Sequence, residues 1–114
     1  MKFVALAALA AALAVPSALA ANPPTLNALV GPGFNISLKQ GGRNVRKLTA
    51  GTYVIKVVDK SNIHNFHLAG PGVNKKTSVK ALGSALWKVT LKKGTYKFLC
   101  DPHPTIMKGS FKVS

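Results

Sequence analysis

The stretch FLCDPHPTIM, Phe98 to Met107, holds the only cysteine of the 114-residue chain, Cys100. It also holds one of three histidines, His103, and the only methionine beyond the first residue, Met107. The other histidines, His64 and His67, stand together upstream in IHNFHL. A thiolate, a thioether and two imidazoles drawn to one point form a trigonal His₂Cys set with a weak axial Met, the donor set of a blue-copper electron-transfer site. The sulfur donors suit Cu(I), and imidazole serves both oxidation states. Pro102 and Pro104 restrict their own backbone and push Asp101 and His103 towards extended conformations. A loop stiffened in this way has less freedom to lose when a site forms.

The rest of the chain has to position these groups. After residue 20 no stretch keeps a helical period, and short alternating runs are cut by Gly, Pro and Asn, as in an all-β domain. TLNALV (Thr25 to Val30) and FNISLK (Phe34 to Lys39) flank GPG, and GGRN (Gly41 to Asn44) reads as a turn. In TYVIKVVD (Thr52 to Asp59) the side chains of Tyr53, Ile55 and Val57 share one face. IHNFHL (Ile63 to Leu68) reads as a further strand and AGPGVNKKTS (Ala69 to Ser78) as a loop. LWKVTLKK places Trp87, Val89 and Leu91 inward, and Lys88, Thr90 and Lys92 outward. YKFLC puts Tyr96, Phe98 and Cys100 on one face, and SFKVS closes with Phe111 and Val113 inward. About seven short strands at this spacing predict an antiparallel sandwich or small barrel. Cys100 then ends a strand on its inward side, with His103 and Met107 in the loop that follows.

His64 and His67 are three apart and fall on opposite faces of a regular strand, so one of them reaches the site. Alternation alone leaves His64 and His67 both open as that ligand. Phe34, Pro71, Pro104 and Ile106 are expected to gather around the edge of His103.

Composition bounds the rest. Lys2, the apolar run Phe3 to Val15, the break at Pro16-Ser17 and the small-residue site Ala18-Leu19-Ala20 have the layout of a secretory signal peptide. The run is shorter than the 18 or so residues that a membrane span requires. The expected organisation is a cleaved signal over residues 1–20 and one domain over 21–114, periplasmic or secreted and without stable membrane insertion. Loss of Lys2 leaves 15 basic residues against Asp59 and Asp101, a net charge of +13. A lone thiol cannot form an internal disulfide, so in an oxidising compartment it is buried, paired between chains or held by a metal. The basic balance fits either a solvated surface or steering towards an acidic partner. Two acids leave almost no room for carboxylate acid–base chemistry, and three histidines are too few for a multicopper oxidase.

At GTYKFLCDPHPTIMKG (Gly94 to Gly109) and at His64-Asn65 the chain resembles the cupredoxins, the small blue-copper proteins of the plastocyanin, pseudoazurin and amicyanin kind. The spacing C-x-P-H-P is most similar to the amicyanin loop, with Met107 placed later. The resemblance implies a Greek-key β-sandwich with one copper ion at one end. It implies His64, Cys100 and His103 as equatorial ligands and Met107 as the axial one. It also implies that Asn65 ties the two ligand loops together. The function it implies is one-electron transfer by a monomer between redox proteins, not enzymatic catalysis. Two other functions compete: a periplasmic copper carrier or store using the same ligands, and a cationic module binding polyanions. The last leaves the Cys-His-Met loop unexplained, and aromatics for stacking nucleic-acid bases are sparse, so no nucleic-acid partner is expected.

Overall fold

The computed structural model describes residues 22–114, and the expected signal segment lies outside them. Among the described residues there are ten strands and no helix: β1 (Thr25–Val30), β2 (Ile36–Gln40), β3 (Arg43–Asn44), β4 (Lys47–Leu48), β5 (Gly51–Asp59), β6 (His67–Gly70), β7 (Val73–Lys76), β8 (Gly83–Leu91), β9 (Gly94–Leu99) and β10 (Lys108–Val113). They form two five-stranded sheets, ordered β3-β2-β1-β5-β8 and β4-β10-β9-β6-β7.

The alternation seen in the sequence is what splits each strand between core and water. Leu26, Ala28 and Val30 of β1 face inward with Ile55 and Val57 of β5, and Val89 and Leu91 of β8 join them. Leu68, Tyr96, Phe98, Phe111 and Val113 face them from the second sheet. Burying a side chain of this size contributes about 1.5–3 kcal/mol, which is why the period-two pattern fixes the register. Trp87 points inward as expected but is only partly buried, tilted against Phe66 at 6.1 Å between ring centroids. Tyr96 stacks on Phe111 at 5.3 Å and Phe98 on Phe66 at 5.4 Å.

Four expectations are corrected. The sheets are mixed, not antiparallel throughout, because β1 pairs with β5 and β10 with β4 in parallel. In GGRN only Gly41-Gly42 turns, and Arg43-Asn44 is a short strand on β2. AGPGVNKKTS is not one loop: Pro71-Gly72 turns the chain so that β7 pairs back on β6. IHNFHL is not a strand until His67, and the alternation argument therefore does not apply to His64. Local composition could not show this, since a hydrogen-bonded turn and a strand start use the same residue types there.

Two glycines make room for β9's aromatics. Gly109 lies opposite Phe98, and a Cβ there would stand 2.2 Å from the ring. A Cβ on Gly70 would likewise stand 2.2 Å from the Tyr96 ring. An aromatic lying across a cross-strand glycine buries its face without a competing side chain.

Candidate metal centre

Three loops meet at the end of the sandwich where β9 stops. Cys100 follows β9 directly and is fully buried. Its N–H donates to the Met107 carbonyl at 3.0 Å, closing the loop at its base before β10 begins. Inside that closure the His103 N–H donates to the Cys100 carbonyl and the Met107 N–H to the His103 carbonyl, each at 3.0 Å. The loop is thus two successive turns nested inside one closure, and Met107 is fully buried as part of the core.

His64 comes from the β5–β6 connection. Asp59 Oδ1 accepts from the Ser61 N–H at 2.9 Å, and Ser61 Oγ accepts from the Ile63 N–H at 3.2 Å. These successive side-chain turns reverse the chain and deliver His64 inward, where it is fully buried. Burial pushes the Asp59 carboxyl up, against the lowering effects of the Ser61 N–H and of His64. Gly31, at φ 72°, lets the β1–β2 connection lie close against this turn. A Cβ there would stand 2.9 Å from Ser61 Cβ and 3.6 Å from His64 Cδ2.

The donor atoms converge. Cys100 Sγ lies 3.7 Å from His64 Nδ1 and 3.6 Å from His103 Nδ1, and the two Nδ1 atoms are 3.2 Å apart. Metal–nitrogen bonds of about 2.0 Å and metal–sulfur bonds of about 2.3 Å, splayed trigonally, place sulfur about 3.7 Å from each nitrogen and the nitrogens about 3.5 Å apart, a few tenths of an ångström from what is seen. The protein's own spacing fits one ion held by these three groups. His64 Nε2 is buried without a hydrogen-bond partner, whereas metal-bound imidazoles usually donate through their second nitrogen. Packing orients this ring instead: Phe34 meets His64 edge-on at 4.9 Å and His103 at 4.8 Å.

Asn65 joins the loops. Its Nδ2 donates to the Thr77 carbonyl at 3.1 Å and to Asp101 Oδ2 at 2.8 Å, while its Oδ1 accepts from the Asp101 N–H at 2.8 Å. Thr77 Oγ1 also accepts from the Phe66 N–H at 3.0 Å. Asn65→Ala would leave the part-buried Asp101 N–H and Thr77 carbonyl without this partner, at about 1 kcal/mol each, the lower end for an unsatisfied group. We expect it to weaken copper retention about 10–100-fold, as lost supporting contacts at metal sites typically do. Competition with a chelator of known affinity measures this.

His67 takes no part in the cluster. Its Nδ1–H donates to Asp101 Oδ1 at 2.8 Å and its Nε2–H to Asn74 Oδ1 at 2.6 Å. Acceptors at both nitrogens favour the imidazolium over the neutral ring. Burial pulls the His67 pKa down, but the bonds to Asp101 and Asn74 outweigh it and leave it raised. Burial similarly pushes Asp101 up, and the bonds from His67 and Asn65 more than reverse this. His67 therefore stabilises the fold below its unfolded pKa of about 6.5 and loses that contribution as pH rises through its raised folded value. Asp101 contributes above its unfolded pKa of about 3.9 and loses that as pH falls through its lowered folded value. The pair is at full strength between about pH 4 and 6.5. Partial exposure limits it to about 1 kcal/mol. Melting curves of copper-free wild type and His67→Gln should differ most inside this window and converge above and below it.

Sequence reasoning did not single out Asp101, Asn74 or Thr77. Asp101 had a signal: one of only two acids in a strongly basic chain stands next to the only cysteine. The expected patch is also revised. Phe34 and Ile106 are exposed near His103, but Pro71 is at the other end of β6, against Gly94 and the Tyr96 hydroxyl.

A two-sheet β domain with a buried Cys and two His converging at one end is a cupredoxin fold with a single-copper centre. The chain belongs to the family of copper-binding proteins described as plastocyanin/azurin, whose family model matches residues 19–114. Among solved structures it is similar to reduced rusticyanin, with a TM-score of 0.60 and 20% identity over 79% of this chain and 78% of that one. Rusticyanin from Thiobacillus ferrooxidans aligns with a TM-score of 0.54 and 20% identity over 79% and 76%. A mutant of amicyanin in the Cu(I) form aligns with a TM-score of 0.52 and 17% identity over 80% and 83%. No curated protein matches the sequence.

Proposed function

We propose that this protein is an exported one-electron carrier, not an enzyme, in which His64, Cys100 and His103 would hold copper together with Met107. The observation that carries the reading is the convergence of one sulfur and two nitrogens at separations of 3.2–3.7 Å, set by the protein itself. Bound copper would supply a Cu(I)/Cu(II) couple, which a His₂Cys set with a weak axial sulfur accommodates in both states.

The chain's own residues do the rest. The Asn65–Asp101 bonds and the nested turns of residues 100–107 hold the donors at fixed spacing, so little has to move when charge changes. Phe34 packs edge-on against both imidazoles and helps to fix their orientation. His64 and Cys100 are fully buried, while His103 is only partly so, and it offers the ligand edge closest to a partner. Around it Phe34, Ile63 and Ile106 are 56%, 49% and 65% exposed, and the segments 31–35, 61–66 and 100–107 contain no Lys or Arg. An apolar contact of this kind, free of lysine and arginine, suits brief docking, because few charged groups lose water when it forms.

The test is spectroscopic and potentiometric. Copper-loaded protein should show a strong visible thiolate absorption that bleaches and returns through a one-electron titration. His64→Ala should remove it and His67→Ala should keep it. A copper form that cannot be cycled, or one equally disturbed by both substitutions, overturns the proposal.

A further inference from the structure

We infer that the outer face of the β4-β10-β9-β6-β7 sheet is a docking face for an acidic partner protein. The inward residues of these strands fix which side chains point out: Lys47 on β4, Lys108, Ser110 and Lys112 on β10, Thr95 and Lys97 on β9. The register makes the lysines neighbours. Lys47 is directly opposite Lys112. Lys97 is opposite Ser110, and hence diagonal to both Lys112 and Lys108. Direct partners have Cβ atoms about 4.5–5.5 Å apart and diagonal ones about 7–8 Å. Four ammonium groups thus form a continuous track across three strands. Lys108 ends it in the row of Leu99, His67 and Lys76, one residue short of Cys100.

Packing and solubility do not account for this track. Like charges directly opposite one another destabilise a sheet, and nothing here offsets them. Asp59 is buried, Asp101 is bonded to His67, and that is the one ion pair among the described residues. Lysines guard exposed strand edges, and Lys47 on β4 and Lys108 on the part of β10 that β4 leaves unpaired stand at such edges, but Lys97 on β9 and Lys112, which β4 covers, guard none. The opposite sheet is arranged differently. There Lys39 and Lys56 flank Asn27 in one row and Lys56 is diagonal to Lys88, but no lysine stands directly opposite another as Lys47 does to Lys112.

The face also selects its occupant. It has no outward aromatic on which nucleic-acid bases could stack, and no large exposed apolar side chain to enter a lipid layer. What remains is a flat array of point charges suited to carboxylates on a protein surface, which would steer and orient a partner beside the copper end. The inference does not depend on electron transfer.

The probe is poly-L-glutamate, titrated at low ionic strength into the copper-loaded protein, with duplex DNA and anionic phospholipid vesicles in parallel. Backbone amide shifts should map to β4, β9 and β10. Lys97→Glu with Lys112→Glu should weaken poly-L-glutamate binding about tenfold or more, and Lys39→Glu with Lys56→Glu about twofold or less. If the glutamate pair unfolds the protein, Lys97→Gln with Lys112→Gln should still weaken binding more than Lys39→Gln with Lys56→Gln. Equal losses from the two faces would show diffuse charge and overturn the inference. Tighter binding of DNA or of vesicles through this face would overturn the choice of partner.

Discussion

Cys100→Ser is expected to leave the β domain folded and to abolish the strong visible absorption of the copper-loaded protein. The thiol is fully buried, with Sγ facing two imidazole nitrogens at 3.6 and 3.7 Å. Serine nearly matches it in shape but replaces a soft anionic donor with a hard neutral one. No other cysteine can substitute. Loss of a thiolate should lower copper affinity by more than the roughly 100-fold upper figure for a lost supporting contact. The cost to the copper-free fold should stay within about 1–2 kcal/mol, since one buried polar atom replaces another with imidazoles at hand. Optical titration with copper and thermal melting of the copper-free variant separate the two effects. A variant that keeps intense thiolate-type colour would remove Cys100 from the site.

Gly70→Ala is expected to be the most damaging single-methyl addition. The new Cβ would stand 2.2 Å from Tyr96 Cδ2 and 2.7 Å from Cε2 and Cγ, well inside contact distance. Tyr96 cannot yield. It is fully buried and stacked on Phe111. Its hydroxyl accepts from the Lys92 N–H at 2.8 Å and directs its proton between the Pro71 and Lys92 carbonyls at 2.9 and 3.0 Å. Overpacking a rigid core costs about 1–3 kcal/mol and sometimes more, and the upper end is expected here. For a domain of this size that is a fall of roughly 10–20 °C in melting temperature. Gly42→Ala is the control. It has a positive φ of 82° but no atom within 4 Å of the added Cβ, so it should cost only backbone strain, about 1 kcal/mol. Similar losses for both would show that backbone conformation, not the Tyr96 ring, is what Gly70 protects.

The copper chemistry was legible in the sequence because its side chains are rare and close together. Cys100 and His103 within one short loop bounded by alternating strands left few readings, and β9 and β10 stand where that alternation put them. The inward sets Tyr53-Ile55-Val57 and Tyr96-Phe98-Cys100 were legible for the same reason: a half-buried strand repeats every two residues, and that period is local.

Tertiary structure decided whatever depends on partners far along the chain. His64 and His67 are three residues apart and chemically identical, so strand alternation does not say which one points inward, and only the resemblance at His64-Asn65 favours the first. His64 turns inward because Asp59 and Ser61 fold the preceding chain, while His67 is held away by Asp101, 34 residues on. The parallel pairing of β1 with β5, the approach of Gly70 to Tyr96 and the line of lysines from Lys47 to Lys108 likewise exist only in register. Composition fixes how much charge and how many donors a chain carries. Which of them become neighbours is set by strand pairing, where a shift of one residue moves every side chain to the other face.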